Sequence, residues 1–107
     1  MKVLAASAFA ALLLSAGMPA VAADNAGAML YRQKCAICHA AGGPGTAALA
    51  RRLPAGVPAL LEERNDLPPL LVRTVVRNGI GGMQRFTRIE LTDAQLETVV
   101  AWLGRPR

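Results

Sequence analysis

Apolar positions follow two regimes along the chain. The first is continuous: Lys2 precedes an uncharged run from Val3 to Met18, and Pro19-Ala20-Val21-Ala22-Ala23 leads to the first acidic residue, Asp24. From Asp24 onward the apolar residues are spaced. Gly27, Leu30, Tyr31 and Lys34 recur at intervals of three and four, which sets them along one side of a helix predicted over Asp24–Cys38. Asp24 or Asn25 is available to cap its first turn. Ala40-Ala41-Gly42-Gly43-Pro44-Gly45 reads as a loop. Thr46–Leu53 reads as a turn or so of helix that ends before Pro54. Pro54, Gly56 and Pro58 mark a second loop, and Ala59–Arg64 reads as a short helix. A firmer helix starts at Asp66 or Leu67, where Pro68 and Pro69 are tolerated because first-turn amides lack partners anyway. Leu67, Leu71 and Val75 form one row on it, with Val72 and Val76 beside them, and Asn78-Gly79 ends it. The last helix opens on Thr92-Asp93-Ala94-Gln95, a capping-box pattern, and stops at Gly104 and Pro106. Its apolar face is Leu96, Val99, Val100 and Leu103, with Trp102 three residues after Val99.

Composition agrees with this reading. The chain has 107 residues, enough for one small domain, and is 53% hydrophobic but only 4% aromatic. Abundant Ala and Leu with little Ile, Thr or Tyr favour helices over sheet, so the expected fold class is all-α. The continuous apolar run changes the domain picture. A basic start, an apolar centre of about 14 residues and small residues at a break describe a secretory signal peptide over residues 1–23. The run is shorter than the roughly 20 residues a spanning helix needs. Cleavage after Ala23 or Ala22 leaves a domain over residues 24–107, exported to the periplasm and not stably inserted in the membrane. Losing Lys2 leaves eleven basic against seven acidic residues, a formal +4. That surplus can steer an acidic protein partner. It is too diffuse, and too poor in aromatics, for a nucleic-acid surface.

The candidate chemistry centres on Cys35-Ala36-Ile37-Cys38-His39. Two cysteines three apart and an adjoining histidine form an attachment site for a c-type haem, with the imidazole as proximal iron ligand. Export fits, since this attachment occurs outside the cytoplasm. So does size, because a small domain gains an apolar centre from a covalent cofactor. A thioredoxin-type disulfide would expect a preceding strand, which the pattern lacks. A zinc site would need a fourth ligand, and His39 is the sole histidine. The glycine-rich stretch after His39 has no side chains to crowd a flat cofactor, and a carbonyl within Pro44–Thr46 can accept the second ring proton of His39. Arg51 and Arg52 are candidates for contact with a haem propionate.

Met83 lies in Ile80-Gly81-Gly82-Met83-Gln84-Arg85-Phe86. A lone methionine usually fills a core. Here Met1 and Met18 leave with the leader, Met29 is too near the cysteines to reach the other haem face, and no second histidine exists. Met83 is therefore the candidate sixth ligand. A His/Met pair raises the reduction potential and closes both axial positions, which suits electron transfer rather than catalysis. The alternative is a peroxidase or gas-sensing haem with an open distal site, which would ordinarily want a distal acid–base group. Lys34, Arg85 and Arg88 are candidate docking positions for redox partners.

These residues resemble the class I cytochrome c family from Gly27 to Leu103. The parts are Gly27, Leu30 and Tyr31 before the Cys35–His39 motif, Asn78-Gly79 through Met83 to Phe86, and the helix ending at Trp102-Leu103. The resemblance implies three to five helices around one haem, with the first and last helices crossing where Gly27 and Tyr31 meet Val99 and Trp102. It makes His39 the proximal and Met83 the distal ligand. More narrowly, Leu67–Phe86 is similar to the cytochrome subunits of flavocytochromes such as p-cresol methylhydroxylase, and to small cytochromes serving other periplasmic dehydrogenases. The implied partners are a donor dehydrogenase and an acceptor cytochrome or oxidase. Two departures stand out: Gln84 replaces the usual proline after the methionine, and Thr46 follows Gly45 where the family commonly has glycine-proline.

Overall fold

In the computed structural model, residue 17 and residues 19–107 are described, so the apolar leader lies almost wholly outside the described residues. Helix α1 spans Ala20–Lys34. It starts before the expected cap, and neither Asp24 nor Asn25 caps it; Pro19 occupies that position without a side-chain cap bond. Ala20, Ala22 and Ala23 are strong helix formers and carry the helix upstream. It also ends before Cys38. Cys35 closes it with φ −116°, and Ala36–His39 form a separate turn, α2.

Helix α3 spans Pro44–Ala50, so helical structure begins inside the stretch expected to be loop. Proline suits a first helical position, where its missing N–H costs nothing. Only Leu61–Glu63 of the helix expected over Ala59–Arg64 forms, as one 3₁₀ turn between extended Leu60 and Arg64. Helix α4 runs Pro69–Asn78, and Gly79 ends it at φ +73°. A β-carbon on Gly79 would lie 2.7 Å from Met83 O, so glycine is needed there for space as well as for dihedral angle. Helix α5 runs Asp93–Leu103 with the capping box formed: Gln95 N–H donates to Thr92 Oγ1 and Thr92 N–H to Gln95 Oε1.

Helix α1 packs on α5. Tyr31 is 1% exposed, and its ring centroid lies 4.8 Å from that of Trp102 at an interplanar angle of 40°. The Arg105 guanidinium covers the Trp102 ring at 4.0 Å. Val72 and Val76 of α4, Leu91, and Leu96, Val99, Val100 and Leu103 of α5 complete the buried core. Arg73 of α4 forms a two-pronged ion pair with Glu97 of α5, both bonds 2.7 Å. Among the described residues no strand forms beyond an isolated antiparallel bridge between Ile80 and Met83. No described helix is long and apolar enough to cross a membrane.

Candidate cofactor site

The core fills only one side of α4. Its other side faces a cavity of about 510 Å³, within the range of cofactor sites. Leu71 and Val75 of α4 line that cavity together with Val72 and Val76. So does Leu67, which the sequence pattern places in the same row but which precedes the helix, since Pro68 is its N-cap. Tyr31, Leu49, Leu61 and Phe86 add further apolar wall.

The four residues singled out for chemistry all reach this cavity. Cys35, Cys38 and His39 line it from the end of α1 and from α2, and Met83 from the loop after α4. Neither cysteine is in a disulfide. Burial pushes the Cys35 thiol up to about 11, the reverse of what activates a dithiol oxidoreductase. No three His, Cys, Asp or Glu side chains converge on a metal position among the described residues, which leaves the zinc reading unsupported.

His39 is held tightly. Its Nδ1 is buried with no hydrogen-bond partner among the described residues. No carbonyl of Pro44–Thr46 accepts from it, although Gly45 lies directly alongside: a β-carbon there would be 3.0 Å from Cε1 and 3.1 Å from Nδ1 of the ring. Gly43 packs as closely on the Cys38 carbonyl, 2.5 Å from where its β-carbon would be. The glycines thus make room for the Cys38 carbonyl and the His39 ring, in addition to clearing a face for a cofactor. Thr46, where the resembled family has proline, fastens this loop by donating from Oγ1 to Ala40 O at 2.8 Å. Burial lowers the His39 pKa, which keeps the imidazole neutral and its free lone pair available to a metal.

The methionine loop is equally constrained. Ile80 and Met83 exchange two backbone hydrogen bonds, 3.0 and 2.9 Å, across Gly81-Gly82. Gly81 alone of the pair has positive φ (+55°), the pattern of a type II′ turn.

A family model described as cytochrome C oxidase, cbb3-type, subunit III, matches residues 22–103. The chain belongs to this family. It is accordingly a small all-α c-type cytochrome domain whose work is electron transfer, with one haem c held covalently through cysteines. Cys35 and Cys38 are the two that the chain possesses. The match covers the cytochrome domain as a whole and does not extend to the narrower likeness to p-cresol methylhydroxylase subunits. No curated protein matches the chain, and no solved structure does.

The cytochrome's cavity fits its cofactor: an apolar slot, two cysteines on its wall and a half-buried imidazole whose cation is disfavoured. Arg52 lines it, as expected, while Arg51 is exposed elsewhere. Arg64 also lines it, a residue that the sequence reading passed over. Its side chain is only 13% exposed and held by Asp66 through two bonds of 2.8 Å. The Arg64–Asp66 spacing was the available signal. Lys34 reaches the cavity wall, Arg85 is exposed nearby, and Arg88 is paired with Asp93 at 2.8 Å.

Proposed function

We propose that this cytochrome is an exported, soluble periplasmic carrier. It accepts single electrons from a dehydrogenase and passes them toward the respiratory chain. The observation that carries this reading is the arrival of Cys35, Cys38, His39 and Met83, from separate elements, at one apolar cavity. In this reading residues 1–23 are the signal peptide and residues 24–107 the working domain. Cys35 and Cys38 hold the haem, His39 Nε2 is the proximal ligand and Met83 Sδ the distal one.

Haem c, when bound, supplies an iron that takes up and releases one electron at a time. The chain's own residues set the conditions for that. His39 enters neutral because burial disfavours its cation. Met83 is delivered by a turn that its own backbone bonds close. Leu71 and Val75 of α4 give the slot an apolar wall, which holds no polar side chain to reorganise when the charge changes. Arg52 brings positive charge to the wall, which suits the carboxylates of the cofactor, while the charge of Arg64 is already matched by Asp66. Held by both His39 and Met83, the iron would offer no site to substrate, and the protein would work as a carrier rather than as an enzyme. Lys34 and Arg85, with Arg88 beyond them, offer a basic rim to an acidic redox partner, and exposed Ile37 and Ile80 supply apolar contact within it.

The test is the visible and near-infrared spectrum of the mature protein, oxidised and reduced, after denaturing extraction has checked for covalent haem. A low-spin spectrum with a methionine-to-iron charge-transfer band is expected. Covalent haem without the band would move the open-site peroxidase or sensor reading ahead.

A further inference from the structure

The chain between Gly79 and Phe86 is a strap fastened at both ends to the last turn of α4. Gly79 N–H donates to Val75 O at 2.8 Å, and Phe86 N–H donates to the next carbonyl, Val76 O, also at 2.8 Å. Met83 lies between these fastenings. At the first, the strap packs back on Gly79 so closely that a β-carbon there would lie 2.7 Å from Met83 O. The second would be a single hydrogen bond were it not for Arg77.

The Arg77 Nη1 donates to three carbonyls, those of Phe86 (3.2 Å), Thr87 (3.3 Å) and Leu91 (2.9 Å). Its Nη2 donates to Asp93 Oδ1 at 2.7 Å. The side chain is 17% exposed, and its Nε is buried with no partner among the described residues. A surface ion pair would not incur that desolvation. One guanidinium thereby joins the end of α4, the chain leaving the Met83 turn and the first turn of α5. Arg73 is a natural comparison. It too reaches from α4 to α5 through a two-pronged pair, but its bonds go to Glu97 alone.

We propose that Arg77 is a positioning residue for the distal side of the cytochrome, holding the strap closed so that Met83 stays in the cavity. It acts through Phe86, whose backbone it clamps and whose side chain lines the same cavity. The inference rests on the reading of Met83 as distal ligand.

Imidazole titrated into the oxidised holoprotein provides the test. It occupies the distal position only in molecules whose strap has opened, so its apparent affinity reports the open fraction. Arg77→Gln is expected to bind imidazole about tenfold tighter, equivalent to about 1.4 kcal/mol lost from the closed strap. Its methionine-to-iron charge-transfer band should weaken in parallel. Arg77→Lys keeps the charge but not the fork, and should fall between wild type and the glutamine variant; it carries the test if that variant does not fold. Arg73→Gln should match wild type. Unchanged imidazole affinity and band in the Arg77 variants would overturn the proposal. Equal tightening in Arg73→Gln would overturn it too, because general loosening of α4 on α5 would then suffice. Should Met83→Ala bind imidazole no more tightly than wild type, the Met83 reading itself fails and takes this inference with it. The two failures are thus distinguishable.

Discussion

Gly27 presents its bare α-carbon to the side chain of Trp102 where α1 and α5 pack together. A β-carbon at Gly27 would overlap Trp102 Cβ and lie 2.9 Å from its Cγ and 3.0 Å from Thr98 O. Two of these neighbours belong to the buried Trp102 side chain, at its root rather than its tip, and the third to a helix backbone, so none can yield cheaply. Gly27→Ala should therefore destabilise the holoprotein by about 1–3 kcal/mol through overpacking, despite alanine's better helix propensity. Chemical denaturation measures it. A neutral or stabilising result would show that the helices can shift apart without cost.

Gln84 stands where the resembled family has proline, and its backbone N–H makes no hydrogen bond among the described residues. Met83 before it is in bridge pairing, the extended backbone that a following proline favours. Gln84→Pro should consequently stabilise the strap by restricting its open form, by about 0.4–1 kcal/mol. Imidazole should then bind the oxidised protein about two- to fivefold more weakly. Tighter binding would mean that proline strains the turn.

The helices were legible where side chains announce their own boundaries. Thr92 and Gln95 cap α5 as their spacing predicts, and Asn78-Gly79 ends α4 because Gly79 alone tolerates its dihedral angle. The start of α1 lies upstream of Asp24 and Asn25, good caps both, because the alanines before them are strong helix formers and a potential cap is no barrier to them. The row Leu67, Leu71, Val75 was visible as an apolar face, yet periodicity does not say whether such a face meets a core or a cavity. Arg77 illustrates the deeper limit. Its partners lie nine to sixteen residues downstream, and three of its four acceptors are carbonyls, which every residue carries. No side-chain pattern records bonds of that kind.

Acid should act on the protein in two stages. Before haem is attached, burial depresses the His39 pKa below its ordinary 6.5, so between that lowered pKa and 6.5 the unfolded chain binds a proton that the folded chain refuses. Its stabilisation is complete above about pH 6.5 and is lost as pH falls below it; ligation to a metal would act in the same direction. The second stage lies lower. Hydrogen bonds from Arg88 and Arg77 hold Asp93 below the usual carboxylate range, and Arg73 does the same for Glu97. Their contribution is present above the unfolded carboxylate values and disappears as pH falls through the lowered ones. Melting temperature recorded against pH should be level near neutrality and fall in both windows. Asp93→Asn should reduce the lower step and spare the upper one; a single unshifted step in that variant would remove Asp93 from the account.

Met83→Ala addresses the distal ligand directly. Met83 is half-buried, borders the core and reaches the cavity from a turn whose backbone bonds involve Ile80 rather than its own side chain. Truncation should therefore leave the turn and the helices in place and remove only the thioether. Thioether ligation favours the reduced iron, so its loss should lower the reduction potential. It should also abolish the charge-transfer band and admit external ligands such as imidazole or azide at concentrations that leave wild type unchanged. Stability should fall modestly as well, because the side chain also packs against the buried core. Stability loss without any change in potential, spectrum or ligand binding would mark Met83 as core filling and leave the distal position to another group. A lowered potential with an opened iron would establish the ligand and the carrier reading together, since a closed axial pair is what separates electron transfer from oxygen or peroxide chemistry at this site.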